Sequence, residues 1–415
     1  VLLFLGVPIA MSLGLSAMGG ILFLGGGSTV TIAQRMFEGM NSFALLAIPL
    51  YTFAGFTMSK GGISKRLMDF CYSIVGHIYG GLAHVNVLSS MIFAGISGSA
   101  VADTAGVSGM FMPEMIRKGY SKNFTVAVTA ISSTIGIIIP PSIPMVVIAG
   151  ICGISTGKLF LGGIIPGILC GLAQMIVSYF LAKKEGVPKE PGHFTIGPVL
   201  HGLWESWPAL LMPIIIVGTI TMGIVSPTEA GVIAVVYGLF AGGIIYRELK
   251  WEDIKFAFAE TVRTSGRIFI VIGAAKLYTV MLTTAGFDKW VAKTMLGFST
   301  NPTVILIMIL LIFFIVTMFM ESIATLTLFM PILYPIALGV GINPIVLSVL
   351  ITVVIGIGLV TPPVGMCIYV ACDLMDTTVG EVFPTLVPFI AATFVCIALM
   401  VAFPQLILLP TYLMA

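Results

Sequence analysis

Long apolar runs broken by short polar interruptions run the length of the chain. Ile164–Leu181, Ala209–Val225, Val304–Phe319 and Leu386–Phe403 contain no charged residue. About 20 such residues carry a helix across hydrocarbon, so these runs predict transmembrane helices in an all-α polytopic membrane protein. Two further apolar regions do not read as simple spans. Leu82–Pro113 is interrupted by Gly95-Ile-Ser-Gly-Ser-Ala-Val-Ala-Asp103-Thr-Ala-Gly106, and Thr303–Pro335 by Met320-Glu-Ser-Ile-Ala-Thr-Leu-Thr327. Non-helical backbone at membrane depth must line protein or water. These regions therefore predict two re-entrant helical hairpins, at 82–113 and 303–335, with tips near the midplane. Each is followed by a span, at 123–152 and 344–371, that is broken by a proline pair. The breaks are Thr134-Ile-Gly-Ile-Ile-Ile-Pro-Pro-Ser142 and Gly356-Ile-Gly-Leu-Val-Thr-Pro-Pro-Val364. Segments 61–76 and 286–298 are too polar to span and read as interfacial arm helices.

The pattern repeats. At an offset of 222 residues, Pro113 pairs with Pro335, Gly136 with Gly358, Pro140-Pro141 with Pro362-Pro363, and Pro166 with Pro388. At 224, Gly62 pairs with Gly286 and Lys65 with Lys289. Prolines and glycines set backbone shape, so a shared register of these residues implies two copies of one structural unit.

Charge gives the relative orientation of the copies. Arg117, Lys118 and Lys122 follow Pro113, whereas Ile336–Asn343, which follows Pro335, is uncharged. Basic residues stay in the cytoplasm, so the two segments belong on opposite sides and the repeat is inverted. Threaded this way, 14 of the 19 Lys and Arg residues lie inside; the exceptions are Arg35, Lys158, Lys276, Lys289 and Lys293. The first hairpin then enters from the cytoplasm and the second from the periplasm. The organisation expected is scaffold spans at 1–60 and 208–285, with a cytoplasmic arm at 61–76 and a periplasmic arm at 286–298. Transport-domain halves occupy 77–183 and 299–415, and a cytoplasmic linker occupies 184–207.

Composition narrows the class further. Hydrophobic residues make up 58% of the 415 and charged residues only 9%, with a mean hydropathy of +1.14. Soluble domains carry about a quarter charged residues, so most of this apolar surface faces lipid. A net charge of +2 gives no reason to expect a nucleic-acid partner. Cys71, Cys152, Cys170, Cys367, Cys372 and Cys396 lie in apolar runs without metal or disulfide spacing, and read as small core residues. Val1–Ala10 reads as the middle of a span with no signal-peptide pattern, so the true start is expected upstream.

Candidate chemistry gathers at the breaks. Proline frees carbonyls of the preceding turn, here those of Gly136, Ile139, Gly358 and Thr361. Freed carbonyls suit sodium, and half-helix N-termini favour a carboxylate. Asp103 and Glu321 are intramembrane acids beside the two tips, and such residues are functional candidates by default. Competing readings stay open: Asp103 as a cap of the second hairpin helix, and Glu321 as a buried acid bonded to backbone amides. Ser97, Ser99, Ser142 and Thr325 are hydroxyls beside the breaks, of a type that also serves as helix glue. Lys276 lies within a span and reads as a structural partner. His77, His84, His193 and His201 look interfacial. No span shows a polar stripe of the kind a channel pore requires, and no nucleophile–base pair or metal constellation suggests an enzyme.

Several motifs together resemble one family. Gly6-Val-Pro-Ile-Ala10, Gly95-Ile-Ser-Gly-Ser-Ala-Val-Ala-Asp103, Ile139-Pro-Pro-Ser142, Pro227-Thr-Glu-Ala-Gly231 and Thr361-Pro-Pro-Val-Gly365 are similar to the large membrane subunit of tripartite ATP-independent periplasmic (TRAP) transporters. The resemblance covers essentially the whole chain. It implies an elevator-type carrier in the bacterial inner membrane, driven by sodium and carrying acidic solutes such as sialic acid or C4-dicarboxylates. It also implies two partners: a small four-helix membrane subunit, sometimes fused upstream, and a soluble periplasmic substrate-binding protein. On that basis one sodium site is expected at Ser97, Ser99, Gly136, Ile139 and Pro141. A second is expected at Phe319, Glu321, Thr325, Gly358, Thr361 and Pro363, with solute near Ser99, Asp103, Ser142 and Glu321. A cation-coupled anion carrier without a binding protein is the main alternative.

Overall fold

The computed structural model describes residue 2 and residues 5–23, 29–187 and 194–414. It is all-helical, with 82% helix and no strand among the described residues. In chain order the helices are α1 (Ile9–Phe23), α2 (Thr29–Met40), α3 (Ala47–Lys60), α4 (Ile63–Val75), α5 (Gly81–Ser97) and α6 (Ala100–Arg117). Next come α7 (Lys122–Ser133), α8 (Ile143–Cys152), α9 (Thr156–Lys184), α10 (Ile196–Thr221), α11 (Pro227–Phe240) and α12 (Trp251–Thr284). The last are α13 (Phe287–Phe298), α14 (Pro302–Thr317), α15 (Ser322–Gly339), α16 (Pro344–Gly358), α17 (Met366–Asp373) and α18 (Val379–Ala402). Among the described residues, seven helices are long and apolar enough to cross a membrane.

The helices pack as two groups. In the first, α12 lies against α1, α2 and α3, while α11 packs on α3 and α10 on α4 and α11. The second comprises α5 to α9 and α14 to α18. At its centre, α7 is buried from Phe124 to Ser133 and α16 from Ile345 to Gly358. Both run directly into the proline pairs. Phe124 stacks on Phe389 of α18 at 6.5 Å between ring centroids. Polar groups buried here bond to one another, as they must away from water. Asn86 of α5 donates to Thr129 Oγ1 at 2.8 Å and accepts from Ser132 Oγ at 3.0 Å. Ser90 Oγ donates to Ser132 Oγ at 3.1 Å, joining α5 and α7 further along. The groups meet where α15 lies along α12 and α5 along α3.

Local sequence explains the element ends. Ser226 and Glu229 form a reciprocal capping box ahead of Pro227, so α11 starts with two orphan amides satisfied. Asn301 and Asn343 cap α14 and α16 through their side-chain oxygens. The region expected as a linker, 184–207, is helical from Ile196 onward, because Trp204, Trp207 and the apolar run that follows continue one helix to Thr221. Lys189 and His193 of that linker lie outside the described residues.

Tyr51 is fully buried between α3 and α11, and its hydroxyl donates to Pro227 O at 2.8 Å. Thr228 Oγ1 donates to Phe43 O at 3.1 Å beside it. Tyr51→Phe removes the donor of this bond, so thermal unfolding of the purified protein should show a loss of about 1 kcal/mol. Unchanged stability would mean that this bond does not hold α3 to α11.

Candidate functional site

Two turns and two proline breaks meet at the boundary between the groups. The first turn is short: α5 ends at Ser97, Gly98 takes a left-handed backbone (φ 64°), and Ser99 caps α6 by accepting from Ala102 N at 3.4 Å. Gly98 is required twice here. A side chain is disfavoured at that φ, and a Cβ would lie 2.7 Å from Pro141 O. The Gly98 carbonyl accepts from Ile143 N at 3.2 Å, which stitches the turn to the proline break. The second turn spans Met318 to Glu321 between α14 and α15. Here Val364 N donates to Met318 O at 3.0 Å, so this turn too is tied to its proline segment.

Asp103 lies in the first turn of α6 rather than in the interhelical turn, and it is fully buried. Ser97 Oγ donates to its Oδ1. Its Oδ2 has no partner among the described residues and lies against Gly136, where an added Cβ would collide with the carboxylate. Glu321 is the N-cap of α15. Its Oε2 accepts from Ile323 N at 3.0 Å and Ala324 N at 3.3 Å, and its Oε1 accepts from Ser322 Oγ at 3.1 Å. A carboxylate there satisfies orphan amides and opposes the positive end of the helix dipole.

A cavity of about 800 Å³ lies between the two turns on one side and α3 and α12 on the other. Ser97, Ser99 and Glu321 line it. The other expected site residues do not. Ser142 is buried; its hydroxyl donates to Ile137 O at 2.5 Å and caps α8 through Met145 N at 3.3 Å. Gly136 and Gly358 are buried, and Phe319 and Pro363 face outward. Thr325 is buried and donates to Glu321 O at 3.1 Å, while Thr361 donates to Ile357 O at 2.7 Å.

These positions determine what each set can hold. Among the described residues no hydrogen bond reaches the carbonyls of Ile139 or Pro141. Asp103 Oδ2 is an unpaired buried oxygen beside Gly136, and the carbonyls of Ile139 and Pro141 lie in the proline break that follows that glycine. The second set is more dispersed, because Phe319 and Pro363 are exposed. No group of three or more His, Cys, Asp or Glu residues is placed to hold a metal ion among the described residues.

Residues 1–406 match the family model described as the tripartite ATP-independent periplasmic transporter, DctM component. The chain belongs to this family of TRAP transporter permeases. It is a multi-pass membrane permease, not an enzyme. The chain is 35% identical to the sialic acid TRAP transporter large permease of Vibrio cholerae, over 98% of this chain and 95% of that one. It is 35% identical to the C4-dicarboxylate TRAP transporter large permease of Pseudomonas aeruginosa, over 97% and 94% respectively. It is 37% identical to the isethionate TRAP transporter permease of Oleidesulfovibrio alaskensis over 94% of its own length, but spans only 61% of that longer protein. The fold resembles the YdaH transporter of Alcanivorax borkumensis, with a TM-score of 0.61 over 89% of this chain and 86% of that one at 13% identity.

The structure also brings to the cavity side chains that sequence reasoning passed over. Glu260, Thr264 and Arg267 of α12 line it, with Lys60 from the end of α3. Their spacing of i, i+4, i+7 is a polar stripe on one helix face, contrary to the expectation that no span carries one. The stripe is hidden in the sequence by Glu252, Asp253, Lys255 and Arg263, which lie on the same helix outside the cavity.

Gly98→Ala should destabilise the purified TRAP permease by about 1–2 kcal/mol in thermal unfolding, since it forces a side chain into the left-handed region and against Pro141 O. Gly106→Ala, in open space within α6, is the control and should be neutral or slightly stabilising. Equal behaviour of the two variants would contradict the geometry of the first turn.

Proposed function

We propose that this TRAP permease carries an acidic organic solute, of the sialic acid or C4-dicarboxylate class, across the bacterial inner membrane, driven by sodium. A periplasmic binding protein delivers the solute, and a small four-helix membrane subunit, separate or fused, joins the first helix group. The observation that carries this reading is the cavity between the two turns and the α3–α12 wall, in a chain of this family. The names of the relatives support the solute class. The starts of α6 and α15 face the cavity with their positive dipole ends, which favours an anion.

In this reading sodium binds beside each turn, and the first seat gains support from the unpaired oxygens of Asp103, Ile139 and Pro141. Each sodium moving inward contributes about 2.3 kcal/mol per 100 mV of membrane potential, so two or more ions can concentrate an anionic solute. In this reading an inverted repeat gives one seat to each half. The hydrogen bonds from Ile143 and Val364 to the turns support movement of turns and proline segments as one body, the transport domain of an elevator, against the first group. Helices α4 and α13 are the arms that link the two.

Uptake of radiolabelled sialic acid and succinate into liposomes, with and without the cognate binding protein, tests the proposal. Uptake should require an inward sodium gradient and, at micromolar solute, the binding protein. Ser97→Ala and Thr361→Ala should raise the sodium concentration needed for half-maximal uptake. Sodium-independent uptake, or a wild-type sodium requirement in both variants, would overturn the sodium assignment; robust uptake by the membrane components alone would overturn the need for the binding protein.

A further inference from the structure

Four ionisable side chains line the cavity: Lys60, Glu260, Arg267 and Glu321. Both acids are engaged. Glu260 accepts from Arg263, which lies outside the cavity, at 2.5 Å, and Glu321 caps α15. Lys60 sits 4.8 Å above the Phe256 ring near the end of α3. Among the described residues Arg267 has no ion pair or hydrogen bond. It lies 16 residues into α12 from Trp251 and 17 before Thr284, at the middle of that helix. At 1.5 Å per residue this is about 25 Å from either end. Arg267 is exposed and, among the described residues, opens onto the cavity without an acidic neighbour. The cavity therefore presents two cations without an acidic partner, Lys60 resting on the Phe256 ring and Arg267 with no such contact, across from two helix starts.

We infer that Arg267 is the scaffold-side contact for the anionic group of the solute. The class of group it fits is a planar carboxylate or a sulfonate, which a guanidinium binds with two parallel N–H donors. This rests on the function proposed above and adds a specific residue to it. Because Arg267 belongs to the α12 wall and not to the turns, it engages the anion only while the turns lie level with it. Thr264 and Glu260, one and two turns further towards the Lys60 end, line the same path and add no cation. Arg267 thus binds the solute directly, from the α12 wall of the cavity.

Two measurements on the complete reconstituted transporter test the inference. In solute counterflow with succinate and sialic acid, Arg267→Gln should raise the internal concentration for half-maximal exchange by roughly ten- to a hundredfold, the usual loss for a bond to a charged group. Arg267→Lys should recover part of that shift. The second measurement needs no transported solute. A cysteine placed at Ser99 should react faster with an anionic methanethiosulfonate than with a cationic one, and Arg267→Gln should abolish that preference. If the reagent preference holds but neither acid exchanges, the solute class proposed above fails while the cationic site stands. If the preference is absent, or if Arg267→Gln lowers the maximal rate with half-saturation unchanged, Arg267 is structural and the inference is overturned.

Discussion

Inside a bilayer a broken helix exposes backbone donors and acceptors that water cannot satisfy, and each unpaired group costs several kcal/mol. This chain breaks its helices at two turns and two proline pairs, and the partners chosen at those breaks organise the rest. Ile143 N reaches Gly98 O, and Val364 N reaches Met318 O. Ser142 and Thr361 return their hydroxyls to Ile137 O and Ile357 O. Every break is thus repaired largely from another break or from its own flank. The repair binds turn to proline segment, and α7 and α16, which feed those segments, become the buried centre of the second group. What the repair leaves over is the carbonyls of Ile139 and Pro141 and one oxygen of Asp103.

The same arrangement explains the polarity of the cavity. Two helices begin at the turns, so their positive ends face the space between the groups. Glu321 is committed to capping one of them, and Glu260 to Arg263. The α12 wall then supplies Arg267 without a neutralising partner. A cavity with positive dipole ends on one side and a guanidinium on the other is suited to an anion.

Much of this was legible in the sequence. Gly98 and Ser99 announce a turn inside an apolar run, and paired prolines announce the breaks, because these residues restrict backbone conformation locally. Glu321 was readable as a group bonded to backbone amides for the same local reason. Side-chain direction was not readable. Asp103 looked like a tip residue, yet it sits in the first turn of α6 with its carboxylate against Gly136, outside the cavity lining. Ser142 likewise spends its hydroxyl on capping. Arg267 was sorted with the cytoplasmic basic residues because its face is defined only by the turns packed opposite, which are distant in sequence. The start of α10 at Ile196 was missed because the polar residues before Trp207 masked helix continuity.

The central claim is that the stitched turns and proline segments move as one body along α12. Paired cysteines can test this directly, joining Ser322 in the second turn to Thr264, Val271 or Tyr278, which succeed one another at seven-residue steps along α12. Mercury cross-linking in membranes, with and without sodium and solute, should trap Ser322 against at least two of these levels, each cross-link arresting transport. Trapping at a single level under every condition would contradict the account.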